Sequence, residues 1–209
     1  MYFTRDTKPI VNYTIIGLNI LVFLFELKMI GPSFLTNGAD TQQLFQLGGM
    51  QTLAYNAGQH YRLWSSMFLH ASVTHILGNM SSLIFVGNIL EDLIGHVRYL
   101  LVYLLSGVGS AYLSLLFLNP NTVSVGASGA VFGITGCLLI VTMFRYSNWK
   151  NGVVTALLYT IFINLGVSVI DPSINLYAHL GGLITGIFCG FLILFYFLIV
   201  KFINSFKHL

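Results

Sequence analysis

The sequence predicts an all-α polytopic membrane protein, with six transmembrane helices in one bundle and a long first loop at the membrane interface. Three observations carry that prediction. Of the 209 residues, 56% are hydrophobic and only 7% are charged, against about 25% charged residues in soluble domains. The mean hydropathy is +0.83. The apolar residues also fall into separate runs close to the roughly 20 residues a helix needs to cross the hydrocarbon core.

The runs cover residues 10–28, 73–92, 97–118, 127–144, 153–170 and 176–200. The first is followed by Glu26-Leu27-Lys28-Met29-Ile30-Gly31-Pro32 rather than a small-residue cleavage site, so it reads as a retained span and not a signal peptide. Residues 29–72 form an unusually long connection, punctuated by Phe34, Leu44, Phe45, Leu47, Leu53, Tyr55, Tyr61, Leu63 and Trp64. A loop of that length and content builds its own structure. Short amphipathic helices are expected there, partly in the interface, with aromatics at headgroup level. No soluble domain, repeat or low-complexity tract breaks the pattern, so residues 1–209 read as a single membrane domain.

Cation placement sets the expected orientation. Six spans put Arg5, Lys8, Arg98, Arg145, Lys150, Lys201 and Lys207 on one side, and leave Lys28 and Arg62, of nine Lys and Arg in all, on the other. Both termini are therefore expected in the cytoplasm, with the long first loop outside. Six spans without a transit-like N-terminus favour a prokaryotic plasma membrane. The net charge of +3 comes without a basic stripe, which argues against nucleic acid as a partner. Cys137 and Cys189 both fall within apolar runs and read as small buried hydrophobes, not a disulfide.

The polar residues inside the spans carry the functional signal. Spans 2, 4 and 6 run in the same direction, and each begins with polar groups: His75 and Asn79, Ser128, and His179. The four therefore sit at one depth beneath the outer surface. His75 and Asn79 share a helix face. Gly182, Gly186 and Gly190 continue the face of His179, while Gly126, Gly129, Gly133 and Gly136 line span 4. Such small-residue stripes let helices approach closely. They would bring Ser128 within hydrogen-bond reach of His179. A serine in a span usually bonds its own helix backbone, and glycine stripes usually serve packing alone. Ionisable groups in a membrane interior, however, tend to be functional.

A serine hydroxyl needs a base to become a nucleophile, and His179 can serve. No Asp or Glu lies deep in a span to orient it: Asp92 and Asp171 fall at helix ends, Asp92 on the wrong side. The expectation is a Ser–His dyad, with the Phe132 ring one turn from Ser128 packing against the imidazole. Ser128 opens its helix, so its amide has no intrahelical acceptor and stands at the positive end of the dipole. His75 and Asn79 can add side-chain donors to make an oxyanion site. The connection 118–125, just before Ser128, is expected to line a water-filled cavity.

These residues resemble a known family. Gly126-Ala127-Ser128-Gly129 is similar to the GxSG motif of rhomboid intramembrane serine proteases, and Ala178-His179-Leu180-Gly181-Gly182 with Gly186 resembles their AHxxGxxxG motif. His75 to Asn79 matches HxxxN; Arg62 with Met67 to Ala71 resembles the end of their first loop; Glu91 and Gly95 fit the pattern after span 2. The resemblance covers about residues 45–200, with motif order kept. It implies Ser128 as nucleophile and His179 as general base. Asn79, His75 and the Ser128 amide would bind the oxyanion, supported by Gly126, Gly129, Phe132 and Gly182. It also implies single-span membrane proteins as substrates, cleaved in or near their span, with no metal or other cofactor. Entry between spans 2 and 5 and a cap near Asp171-Pro172-Ser173 are likewise implied. Two departures stand out: Tyr61-Arg62 replaces the frequent Trp-Arg pair, and Phe132 stands where many members have Tyr.

Three rival readings are a non-catalytic rhomboid-like protein that binds membrane clients, a small transporter, and a metal site of His70, His75 and His179. The dyad argues against the first. The apolar inner halves of spans 2, 4 and 6 argue against the second. The absence of any carboxylate or thiolate partner argues against the third.

Overall fold

The computed structural model describes residues 8–146 and 152–206. Arg5, Lys150 and Lys207, three of the cations behind the orientation argument, lie outside the described residues, as does the Arg145 side chain. The first helix, α1 (Ile10–Ile30), ends at Gly31. Four short helices follow: α2 (Phe34–Asn37), α3 (Thr41–Gln46), α4 (Thr52–Asn56) and α5 (Arg62–Ser65), the last running into a 3-10 turn over Ser66–Phe68. A continuous rod then comprises α6 (Val73–Ser82), a π-helical segment (Leu83–Gly87) and α7 (Asn88–Ile94). The remaining helices are α8 (His96–Phe117), α9 (Ser128–Tyr146), α10 (Gly152–Ile170) and α11 (Leu176–Phe206). Helices α1, α8, α10, α11 and the α6–α7 rod are long and apolar enough to cross a membrane; α9 is a shorter apolar helix. The protein is a multi-pass membrane protein.

Helix α9 is the axis. Every residue from Gly129 to Thr142 is buried, because α6, α8, α10 and α11 surround it. A helix enclosed by protein needs apolar residues all round, which is what Ala130, Val131, Ile134, Leu138 and Val141 provide. Helix α10 is the opposite case: only Val154, Leu157 and Ser168 are buried along it.

The glycine stripes of α9 and α11 meet, as their spacing predicts, and α8 joins the contact. A Cβ on Gly182 or Gly186 of α11 would collide with the backbone carbonyl of Gly129 or Gly133 of α9. A Cβ on Gly129 or Gly133 would instead strike the Ser110 or Ser106 side chain of α8. Gly182 and Gly186 thus pack against α9 backbone, while Gly129 and Gly133 also make room for α8 serines. Three helices are drawn together where two were expected.

The first loop is folded around one cation. Arg62 is buried and donates from Nη1 to the Phe45 carbonyl at 2.7 Å and the Gly49 carbonyl at 2.6 Å, and from Nε to Gln59 Oε1 at 2.7 Å. Its guanidinium carbon lies 4.2 Å from the Phe45 ring centroid. Leu35, Leu53, Tyr61 and Trp64 remain exposed, as an interfacial loop requires. Helix α3 carries a capping box, with Asp40 and Gln43 each accepting from the other's backbone amide.

A second polar knot ties the chain's start to the rod. The Glu91 carboxylate accepts from the amides of Val11 (3.0 Å) and Asn12 (2.7 Å), capping α1, and pairs with His96. The Asn12 side chain donates to the Leu83 carbonyl at 2.7 Å, where the π segment begins, and accepts from the Tyr99 hydroxyl at 2.6 Å.

Candidate active site

Ser128 is the first residue of α9. Helix geometry leaves the amides of a first turn without intrahelical acceptors. The chain enters this turn through Gly126, whose φ is +123° and whose added Cβ would lie 2.6–2.7 Å from the His75 ring and 3.7 Å from Ser128 Oγ. Glycine is needed there twice over: for the left-handed backbone and to leave space between an imidazole and a hydroxyl that face the same point.

The first loop fixes that entry. Met50 and Ser124 exchange backbone hydrogen bonds at 3.0 and 2.8 Å, and the Gly126 amide donates to the Ser66 carbonyl at 2.9 Å. Met50, between α3 and α4, and the 3-10 turn therefore hold the strand-like lead into Ser128.

His179 lies in the first turn of α11 and is buried. Its ring stacks on Phe132, centroids 4.2 Å apart and planes 20° apart, the packing expected from the sequence. The approach of Gly182 to Gly129 sets the level of α11 against α9 close to both residues. Asn175 caps α11 by accepting from the Ala178 amide at 3.0 Å. Its Nδ2 donates to Ser114 Oγ at 2.9 Å and Ser124 Oγ at 2.8 Å. One side chain thus ties the start of α11 to α8 and to the lead into α9.

A cavity of about 740 Å³ opens at these helix starts, lined by His75, Gly126, Ser128 and His179, by Thr122 to Val125, and by Asp171 to Tyr177. That volume falls within the usual range for a binding cleft, about 300–1,000 Å³. The connection before Ser128 lines it, as expected. So does the loop before α11, where Ser173 donates to Asp171 from both its hydroxyl (2.7 Å) and its amide (2.9 Å). These bonds hold the Asp171 carboxyl below its ordinary range.

The predicted donors divide. His75 faces the cavity. Asn79 is buried one turn further along α6; its Nδ2 has no hydrogen-bond partner and it does not line the cavity. His70 packs edge-on against His75, centroids 5.1 Å apart. Burial and then the neighbouring His75 push the His70 imidazole down to about 3. Among the described residues, no group of three His, Cys, Asp or Glu side chains could hold a metal ion.

Two carboxylates are buried, each close to the end of its helix and away from His179. Glu26 and Glu91 are both fully enclosed. Each is occupied with backbone amides: Glu91 with the start of α1, and Glu26 with the His70 amide at 3.0 and 3.1 Å. Neither orients His179. The residue that touches the imidazole nitrogen is one the sequence did not single out: Ser168 Oγ of α10 lies 2.7 Å from His179 Nδ1. A serine on an otherwise lipid-facing helix carries no local signal. Asn175 was more legible, since an Asn directly before a long apolar run is an N-cap signature.

Known proteins match this architecture. A family model described as Rhomboid domain matches residues 57–196. RHOMBOID-like protein 4 of Arabidopsis thaliana is 40% identical over 172 residues, 81% of this chain and 41% of that protein. RHOMBOID-like protein 2 of the same plant is 39% identical over 175 residues, 82% of this chain and 54% of that protein. Rhomboid protease GluP of Bacillus subtilis is 34% identical over 186 residues, 89% of this chain and 35% of that protein. The chain spans roughly a third to a half of the length of these relatives. Relatives in a plant as well as a bacterium remove the ground for confining such a protein to a prokaryotic membrane. By its apolar helices and by a Rhomboid domain that covers residues 57–196, the chain belongs to the rhomboid family.

Proposed function

We propose that the protein is an intramembrane serine endopeptidase that cleaves single-span membrane proteins in or near their transmembrane segment. The observation that carries this reading is the convergence of Ser128, His75 and His179 on one cavity at the starts of three helices. Ser128 Oγ attacks the scissile carbonyl carbon while its proton passes to His179 Nε2. The tetrahedral oxygen gathers charge and is met by the Ser128 amide and the His75 ring, with Asn79 Nδ2 as a further donor. The same imidazole then gives its proton to the leaving amine. A water from the cavity repeats the sequence on the acyl-enzyme and frees the serine.

The lack of a hydrogen-bonding partner for Asn79 Nδ2 favours its role, because a donor left unspent in the resting protein is available to a developing charge. The cation bias favours cytoplasmic termini and a cavity that opens on the opposite side. The substrate's span, the surrounding lipid and water are the only partners this chemistry requires.

The test is a serine-reactive fluorophosphonate probe together with cleavage of a single-span reporter. The wild-type protein should label and cleave, and Ser128→Ala should do neither while keeping its thermal unfolding temperature. Cleavage undiminished in Ser128→Ala would overturn the reading and favour a protein that binds membrane clients without cutting them.

A further inference from the structure

We propose that Ser168 is a positioning residue, fixing the tautomer and ring orientation of His179 through a hydrogen bond to Nδ1. The inference rests on the reading of His179 as the base.

One hydroxyl proton stands between two possible acceptors. Ser168 Oγ lies 2.6 Å from the carbonyl of Asn164 and 2.7 Å from His179 Nδ1. A hydroxyl has one proton to donate and lone pairs to accept with; a carbonyl can only accept. If the Ser168 proton pointed to Nδ1, two oxygens would face each other at 2.6 Å with no proton between them. The proton therefore goes to Asn164, and Oγ accepts. The atom that donates to it is then Nδ1–H. A neutral imidazole carries one proton, so Nε2 is left bare. That is the form a base must have to take a proton from Ser128.

Back-bonding of a hydroxyl to the carbonyl four residues earlier is common on this chain. Thr14, Thr142 and Thr160 all do it. In those cases the bond satisfies the hydroxyl and nothing more. At Ser168 it polarises the hydroxyl as an acceptor for the imidazole. The place is also selected: of the three buried residues of α10, Val154, Leu157 and Ser168, only Ser168 is polar. Phe132 sets the plane of the His179 ring by stacking. A stack permits a half-turn about the Cβ–Cγ bond, which returns the ring to the same plane, and the Ser168 bond removes it. When Nε2 takes the Ser128 proton, the imidazolium keeps its Nδ1–H on Ser168, and no further proton moves.

The experiment uses the full chain in lipid with Ser168→Thr and Ser168→Val. Valine matches threonine in shape and lacks only the hydroxyl. Ser168→Val should lower kcat by about 10- to 100-fold, by analogy with the loss when the partner that orients a metal-bound histidine is removed, with KM little changed. Fluorophosphonate labelling, which needs no substrate binding, should slow in step. Ser168→Thr should recover most of both. In wild-type protein, histidine 15N chemical shifts should show His179 protonated on Nδ1 and bare on Nε2. A kcat in Ser168→Val within twofold of wild type, or equal losses in Thr and Val, would overturn the proposal. So would a wild-type spectrum with the proton on Nε2, whether or not the variants fold. The tautomer is read without catalysis, so its failure is distinct from failure of the dyad, which Ser128→Ala reports.

Discussion

Asn79 and His75 share one face of α6 yet differ in what they can do. His75 lines the cavity, whereas Asn79 is buried with its Nδ2 unpartnered. An oxyanion reaching that nitrogen would gain a donor that substrate binding alone does not use. Asn79→Ala should therefore lower kcat, by about 10²–10³-fold if it is a full oxyanion donor, with KM nearly unchanged. Steady-state kinetics on a reporter peptide in detergent checks this. A rise in KM with kcat intact would reduce Asn79 to a binding or packing role. At this scale, Ser128, His75 and His179 were legible because each breaks an apolar run at the start of a helix. Ser168 was not. Its meaning depends on an imidazole across a turn, and the commonest fate of a serine in a span is a bond to its own backbone. Glu26 escaped for a related reason: its partner is the amide of His70, a group present at nearly every residue and marked by none.

At Gly182 and Gly186, helices α9 and α11 meet backbone to backbone. Gly182 and Gly186 lie against the backbone of Gly129 and Gly133, which holds Ser128 and His179 level. An alanine at Gly182 must push the two helices apart, because its obstacle is backbone and not a flexible side chain. Gly182→Ala should cost about 1–3 kcal/mol, the usual range for overpacking, and activity should fall further than stability does. Gly17 of α1 provides the control, since a Cβ there meets nothing within 4 Å; Gly17→Ala should leave both intact. Thermal unfolding in detergent alongside reporter cleavage separates the two outcomes. Equal tolerance at both positions would mean that the helix contact does not govern the site. The existence of the stripes was readable from spacing. So was their meeting; the part played by α8 was not, because Ser106 and Ser110, which pack on Gly133 and Gly129, look like ordinary small residues in a span.

Across the whole molecule, the site depends on a loop that contributes little of the chemistry. The first loop grips the lead into Ser128 through the Met50–Ser124 bridge and the Ser66 carbonyl, and the loop itself is held by Arg62. Composition shows such a loop to be structured, but a hub whose partners are backbone carbonyls leaves no pattern beyond one arginine beside aromatics. Arg62→Gln removes the donor that Phe45 and Gly49 share; the Phe45 carbonyl keeps the Gly48 amide, while the Gly49 carbonyl is left short of a donor, at about 1–3 kcal/mol for a buried unsatisfied group. Arg62→Lys keeps the charge but cannot reproduce a planar fork with a third bond from Nε, so it should recover only part of the loss. If the loop positions the nucleophile, both variants should lose fluorophosphonate labelling of Ser128 in the order Gln, then Lys, then wild type, although residue 62 does not line the cavity. Limited proteolysis should report loosening of residues 34–68 in the same order. A loop that loosens while labelling stays at the wild-type rate would show that the helices alone hold Ser128 in place.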